Sequence, residues 1–433
     1  MIGVPRLPLV PDPLRRIHVP RELEAVTEVG FEVDPEAVGM TRRQVERIWS
    51  DAVGWYRAGV HPALQVCVRR RGQVVLDRAI GHAHGNGPAD GRDTTKTPVG
   101  TDTAFCVYSA SKAITAFVVH KQVERGLIDL HEPVATYIPG YEANGKGGIT
   151  VAHVLSHRPG VPSLPPETFD LDRAADREFI TSAVVQAKPF AQPGRRLAYH
   201  AVSGGYILGE IVHRVTGRDL RAVLQEEFLE PLGFRWNGYG VADADLDEVG
   251  TDYVTGPPLV PPASTVLTRA LGVPAGRIVE WSGDPRFRRA VVPSANIYTT
   301  AGELARFFDV MGHGGELDGV RVMEPDTIRG ALVQQSHLEP DLSLIFPTRF
   351  GLGLMLGARA VSLFGWESQQ AFGHLGFTNT LAWADPERAS AVAIVTSGKP
   401  TVYPDVWRFP ALAARITHEV PRADRGTRTL EPV

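Results

Sequence analysis

Ser109 and Lys112 are the residues in this chain whose types and spacing most clearly suggest chemistry. Side chains three apart share a face when a helix begins there. The serine would then lie at the positive helix N-terminus, where developing negative charge is stabilised. The lysine one turn in could draw off the hydroxyl proton, which makes a serine nucleophilic without a Ser-His-Asp triad. With 16 serines and 6 lysines in 433 residues, about 0.2 such pairs arise by chance, and this is the only one. The bland alternative is that Ser109 merely caps the helix.

A nucleophile needs a proton acceptor, a proton donor for the leaving group and donors for the oxyanion. Two later segments fit. Tyr199 stands just before the apolar helical stretch 204–212. A tyrosine beside a lysine ammonium has a lowered pKa and can act as a base. The run Phe372-Gly373-His374-Leu375-Gly376-Phe377 reads as a strand whose glycines let a ligand approach the backbone.

The elements around these residues have their own signals. Residues 1–40 are rich in Pro and acidic side chains and read as a surface arm. Residues 41–58 have helical spacing with Thr41 as N-cap. Residues 63–68 and 73–79, joined at Arg71-Gly72, read as a hairpin, and 85–100 as a loop. The apolar stretch after Lys112 runs to Gly126, a C-cap candidate. Helices are expected at 150–157, 177–187, 203–216, 218–230, 301–312 and 405–420. Strands are expected at 350–356, 370–376, 380–384 and 391–396. Strands at both ends and helices between imply an α/β lobe, 41–127 with 286–433, interrupted by an α-helical lobe at 128–285.

The three segments, in this order, resemble the three motifs of the serine β-lactamase and penicillin-binding-protein superfamily. The likeness is nearest to its esterase branch, the family VIII carboxylesterases. Ser109 and Lys112 match S-x-x-K, Tyr199 matches the tyrosine of Tyr-x-Asn, and His374 and Gly376 match the Lys/His-x-Gly motif. Two further stretches look familial, 155–160 and Pro293-Ser294-Ala295-Asn296. The resemblance spans about 41–420 and implies a β-lactamase-like fold, an antiparallel sheet flanked by helices. It also implies that Ser109 is acylated and that Lys112 and Tyr199 share the proton work. The backbone N–H groups of Ser109 and Phe377 would then form the oxyanion hole, with His374 bonding to the Tyr–Ser network or to substrate.

The departures point toward esters. Ala201 replaces the family's Asn, and His374 replaces a Lys that would attract a carboxylate. A histidine of ordinary pKa is mostly uncharged at neutral pH. The expectation is a serine carboxylesterase acting on small-molecule esters with short or medium acyl chains. The rivals are β-lactam or D-Ala-D-Ala amide hydrolysis, acyl transfer to a small acceptor, and an inactive binding module.

Composition narrows the rest. A net charge of −4, 43% hydrophobic and 22% charged residues suit a soluble enzyme and give no footprint for nucleic acid. No apolar stretch suggests a membrane span or a signal peptide, so the cytoplasm is the expected location. Cys67 and Cys106 lie in separate apolar runs and read as buried thiols, and no spacing suggests a metal or other cofactor. His153 and His157 read as helical or cap residues, and His82 and His84 as exposed turn residues. Ser203 reads as a cap, Tyr108 as core, and His200 as either packing or shaping the cleft. Phe364, Trp366 and Trp383 could line an acyl pocket, although aromatics near strands are usually core.

Overall fold

The computed structural model describes residues 12–424 apart from 92, 344–346 and 402. Its framework is an eight-stranded sheet, antiparallel throughout. Seven strands run in the order Thr27–Val29, Gln73–His84, Ala63–Arg70, Ser390–Thr396, Leu381–Asp385, Phe372–Leu375 and Met355–Leu356. Thr97–Pro98 pairs separately on Gln73–His84. The joint between the two ends of the chain is the pair Ala63–Arg70 and Ser390–Thr396, with Val66 opposite Ile394.

Local chemistry explains the hairpin. Arg71 and Gly72 both have positive φ, 49° and 78°, the two-residue turn whose twist matches antiparallel strands. Side chains alternate across the sheet. Leu64, Val66 and Val68 enter one apolar cluster with the helices Arg42–Tyr56 and Arg408–Glu419. Ala63 and Cys67 enter the other, which covers Ser111–Glu124 and Ala301–Gly312. With both faces covered, these strands read as continuous apolar runs.

Thr41 caps its helix through a reciprocal box with Gln44. Residues Ser111 to His120 are all buried, so this part of the helix Ser111–Glu124 is enclosed on every side and lies in the core. It stops before Gly126, whose φ of 71° suits the C-terminal position. The arm does more than lie on the surface: Thr27–Val29 adds an edge strand, and Ile17, Val26, Val38 and Met40 are buried. Residues 1–11 lie outside the described residues.

Among the described residues, no strand of the large sheet falls between Pro98 and Met355. The helices there share the sheet's apolar cluster, which runs from Ala63 and Val395 to Ile207 and Phe228. No helix among the described residues is long and apolar enough to cross a membrane.

Candidate active site

Ser109 lies in a 3-10 turn, Tyr108–Ala110, one step ahead of the helix Ser111–Glu124. The N-cap position of that helix is Ala110, not Ser109. The turn is fixed from behind. Val107 donates its N–H to the Ile297 carbonyl at 2.9 Å, and Ser111 Oγ accepts from the Ile297 N–H at 3.0 Å. Tyr108 has φ of 47°, a conformation costing about 1–3 kcal/mol that persists where its surroundings over-determine it. Its hydroxyl is held by Asp252 at 2.8 Å and Ser282 at 2.9 Å, and Lys399 Nζ lies 4.9 Å over its ring. The expectation that Tyr108 is core holds, and that core position presents the serine next to it.

Lys112 is buried, and its Nζ donates to Ser109 Oγ at 3.1 Å and to the Ser294 carbonyl at 3.0 Å. No carboxylate pairs with it among the described residues, and burial alone pulls its pKa down to about 7. The amine is therefore substantially neutral near pH 7, with a lone pair to offer. Where the family's Asn would contact the lysine, this chain has Ala201. The carbonyl of Ser294 serves as acceptor, and Ser294 is pressed close: a Cβ on Gly205 would lie 2.2 Å from its Oγ.

Tyr199 is buried and shares a hydrogen bond with Ser109. The expected lowering of its pKa is overturned: burial raises it, and nearby Asp341 adds to the rise. The reason is geometric and electrostatic. Lys112 Nζ meets the face of the Tyr199 ring, 4.9 Å from its centroid, and this amine does not hold a full positive charge. Tyr199 remains a phenol and a proton donor. Its backbone N–H donates to Asp341 Oδ1 at 3.1 Å.

Three histidines surround this pair. His157, with φ of 59°, packs its ring 4.7 Å from Tyr199, and its Nδ1 accepts from the His200 N–H at 3.2 Å. His200 Nε2 accepts from the Val161 N–H at 3.0 Å. His374 lies with its ring 6.1 Å from that of Tyr199. Its Nδ1 donates to the Leu375 carbonyl at 2.6 Å, leaving Nε2 buried with no partner. His374 therefore makes no hydrogen bond into the Tyr–Ser network. Burial takes His200 and His374 down to about 3 and His157 well below the ordinary value, so all three are neutral.

Gly376 follows the strand Phe372–Leu375 and must be glycine, since a Cβ would lie 2.6 Å from the Val107 carbonyl. That contact brings Phe377 beside the Ser109 turn, its ring 5.5 Å from that of Tyr108. Ser109, Ala201 and Phe377 open onto a cavity of about 80 Å³ whose other walls include Phe169, Trp281 and Phe287. This slot is apolar and narrow. A far larger groove, about 830 Å³, lies along the C-terminal helix between Trp366, Trp407 and Arg415 and is not lined by Ser109.

The β-lactamase family model matches residues 48–415. The chain belongs to the β-lactamase family. A Mycobacterium tuberculosis relative, the esterase/beta-lactamase LipL, is 32% identical over 319 residues, covering 69% of this chain and 70% of that protein. A penicillin-binding-protein homologue from Caulobacter crescentus superposes with a TM-score of 0.74 at 26% identity, over 91% of this chain and 99% of that one. A family VIII carboxylesterase gives the same TM-score at 25% identity, over 90% and 100%. The β-lactamase-like fold and membership of this serine hydrolase family, with esterase relatives, stand on those matches.

Other sequence expectations for this β-lactamase-family chain need correction. Ser203 is not a cap; the N-cap residue is Val202, and Ser203 Oγ donates to the Val161 carbonyl at 2.6 Å. His82 and His84 are not turn residues but end the strand Gln73–His84, and His82 is buried. His153 joins a capping box with Thr150 as expected, whereas His157 packs beside Tyr199. Phe364 and Trp383 pack together at 5.8 Å in the core, as aromatics near strands usually do, whereas Trp366 lines no pocket beside Ser109 and is 74% exposed on the remote groove. Sequence reasoning missed Asp341, the role of the Ser294 carbonyl and the walls Phe169, Trp281 and Phe287. The familial look of 155–160 and 293–296 was the signal available for His157 and Ser294.

Proposed function

We propose that the protein is a serine carboxylesterase that hydrolyses neutral esters with short acyl chains through an acyl-enzyme on Ser109. The observation that carries this is the desolvated Lys112 amine, 3.1 Å from Ser109 Oγ. Neutral Lys112 accepts the Ser109 proton as Oγ attacks the ester carbonyl. Backbone N–H groups of Ser109 and Phe377 receive the oxyanion. Tyr199, a neutral phenol bonded to Ser109, relays a proton to the departing alkoxide. Water then attacks the acyl-enzyme, and the same groups run in reverse to restore Ser109.

The preference for esters over anionic amides rests on charge. The slot beside Ser109 is apolar, Ala201 offers no amide, and His374 is held neutral. Among the described residues lining the slot there is no fixed cation for a carboxylate-bearing lactam.

Intact-protein mass spectrometry after an alkyl fluorophosphonate tests the nucleophile. A single adduct at Ser109, absent from Ser109→Ala, is expected. p-Nitrophenyl butyrate should be hydrolysed orders of magnitude faster than nitrocefin; comparable rates would overturn the ester reading. Adding an alcohol in the same assay separates acyl transfer from hydrolysis.

A further inference from the structure

The slot beside Ser109 has a neighbour. A second cavity, about 390 Å³, lies behind it, and Ala174 and Tyr206 line both. The helix Ser203–Thr216 places Tyr206 at this boundary. Gly209, Glu210 and His213, at i+3, i+4 and i+7 from it, face the second cavity, while Ala201 and Val202 face the first. The segment 290–295 forms the rest of the partition: Val292 and Ala295 face the slot, Val291 and Pro293 the second cavity.

We propose that Tyr206 is the specificity-determining partition of the acyl site, its ring closing the slot against a second compartment that accepts straight alkyl chains. This rests on the esterase reading above and deepens it. The ring contacts both apolar clusters that meet here. Its hydroxyl has no hydrogen-bond partner among the described residues, so the ring and not the polar tip does the closing. The charged side chains and the histidine that line the second compartment already have partners: Asp219 Oδ1 accepts from the Ala222 N–H at 2.8 Å, and His213 Nδ1 bonds to the Arg218 carbonyl at 3.2 Å. Arg177 pairs with Glu210 at 2.9 Å, and Arg289 with Asp243 at 2.5 Å. Arg221 donates to the carbonyls of Tyr239, Arg289 and Ala290. Ile180, Leu220 and Val291 supply apolar wall.

The test uses Tyr206→Ala and Tyr206→Phe in the full chain, with Tyr206→Leu as a second ring-removing variant if the alanine variant fails to fold. One readout is the rate of Ser109 labelling by butyl against decyl fluorophosphonate. Each methylene newly buried is worth about fourfold, so removing the ring should raise the decyl-to-butyl ratio at least about tenfold, with Tyr206→Phe unchanged. The second readout is calorimetric binding of 1-decanol against 1-butanol, which needs no reactive serine. An unchanged decanol preference in folded Tyr206→Ala, or an equal shift in Tyr206→Phe, would overturn the partition. Absent labelling with a shifted decanol preference would uphold the partition and sink the esterase reading.

Discussion

Two buried lysines stand near the Ser109 turn, each over a tyrosine ring, and they differ in their partners. Lys112 Nζ lies 4.9 Å over the Tyr199 ring, and Lys399 Nζ lies 4.9 Å over the Tyr108 ring. Both are buried, and both donate to a backbone carbonyl, Lys112 to Ser294 and Lys399 to Thr396. Lys399 also has Asp252 at 3.5 Å, whereas Lys112 has the Ser109 hydroxyl and no carboxylate. A buried ammonium with a carboxylate beside it forms a structural pair. A buried amine without one gives up its proton toward neutral pH and becomes a base. The same burial thus supports the strained Tyr108 in one place and, on the proposed reading, supplies the base in the other.

The comparison breaks most completely at the serine between them. Ser109→Ala should abolish turnover, because no covalent intermediate can form; activity above about one per cent in a purified, folded sample would refute the assignment. The two lysines should then separate. Lys112→Met should lower kcat by about 10²–10⁴ with little change in KM, since the lost interaction belongs to the transition state. It should also raise Tm. The unfolded chain holds the Lys112 proton up to the ordinary lysine range, and the folded chain releases it near pH 7. Between those values the unfolded state binds more protons, so stability climbs with pH there, and below about 7 the full penalty of the buried ammonium applies. Lys112→Met removes that penalty, and its Tm gain should be largest below pH 7. A gain in stability with a loss of activity is the signature of a group kept for chemistry.

Lys399→Met should do the opposite. It strands Asp252 in the core, which costs about 3–5 kcal/mol, and denaturant unfolding should read that loss. Combining it with Asp252→Asn should recover much of the stability, because the orphaned charge is gone. Equal losses in the single and double variants would show that the pair is not what supports the turn.

The pattern of what the sequence disclosed follows the reach of each interaction. Thr41, Arg71-Gly72 and Gly126 were legible because caps and turns are decided within a few residues. That Ser109 and Lys112 meet was legible for the same reason, since they stand three residues apart. Lys399 and Asp252 stand on segments far apart in the chain, and no local signal announces that they pair. Tyr199 was found by motif, yet the direction of its pKa was misjudged, because burial is a tertiary property that no neighbouring residue reveals. Trp366 shows the converse error. Its composition suits an apolar pocket, and the fold leaves it on the remote groove. The slot's walls come from 168–174 and 271–295, helical and loop segments whose convergence on Ser109 is set by packing alone.

A pH profile sharpens the contrast without altering the protein. With Lys112 as the base, kcat/KM for a neutral ester should rise about tenfold per unit below pH 7 and level above it. His200 and His374, both near 3, add no further step between pH 5 and 9, and the raised Tyr199 adds no fall in that range. A flat profile through pH 6–8, with chemistry rate-limiting, would remove Lys112 from the proton transfer.

The smallest effect should come from Cys106, three residues before the nucleophile. It is buried like Lys112, its Sγ donates to the Ala295 carbonyl at 3.2 Å, and burial raises its pKa to about 12. Desolvation favours the neutral form of both groups, with opposite consequences: a neutral amine is the reactive base, whereas a neutral thiol is inert. Cys106→Ala should therefore keep most of the activity and cost about 1 kcal/mol in stability from lost packing. Iodoacetamide at pH 8 should leave Cys106 unlabelled in the folded protein, and mass spectrometry of the digested chain reads this directly. Alkylation of Cys106 at the rate of a free thiol would mean that the turn behind Ser109 is open to solvent, and the burial that also tunes Lys112 would then fail as the common cause.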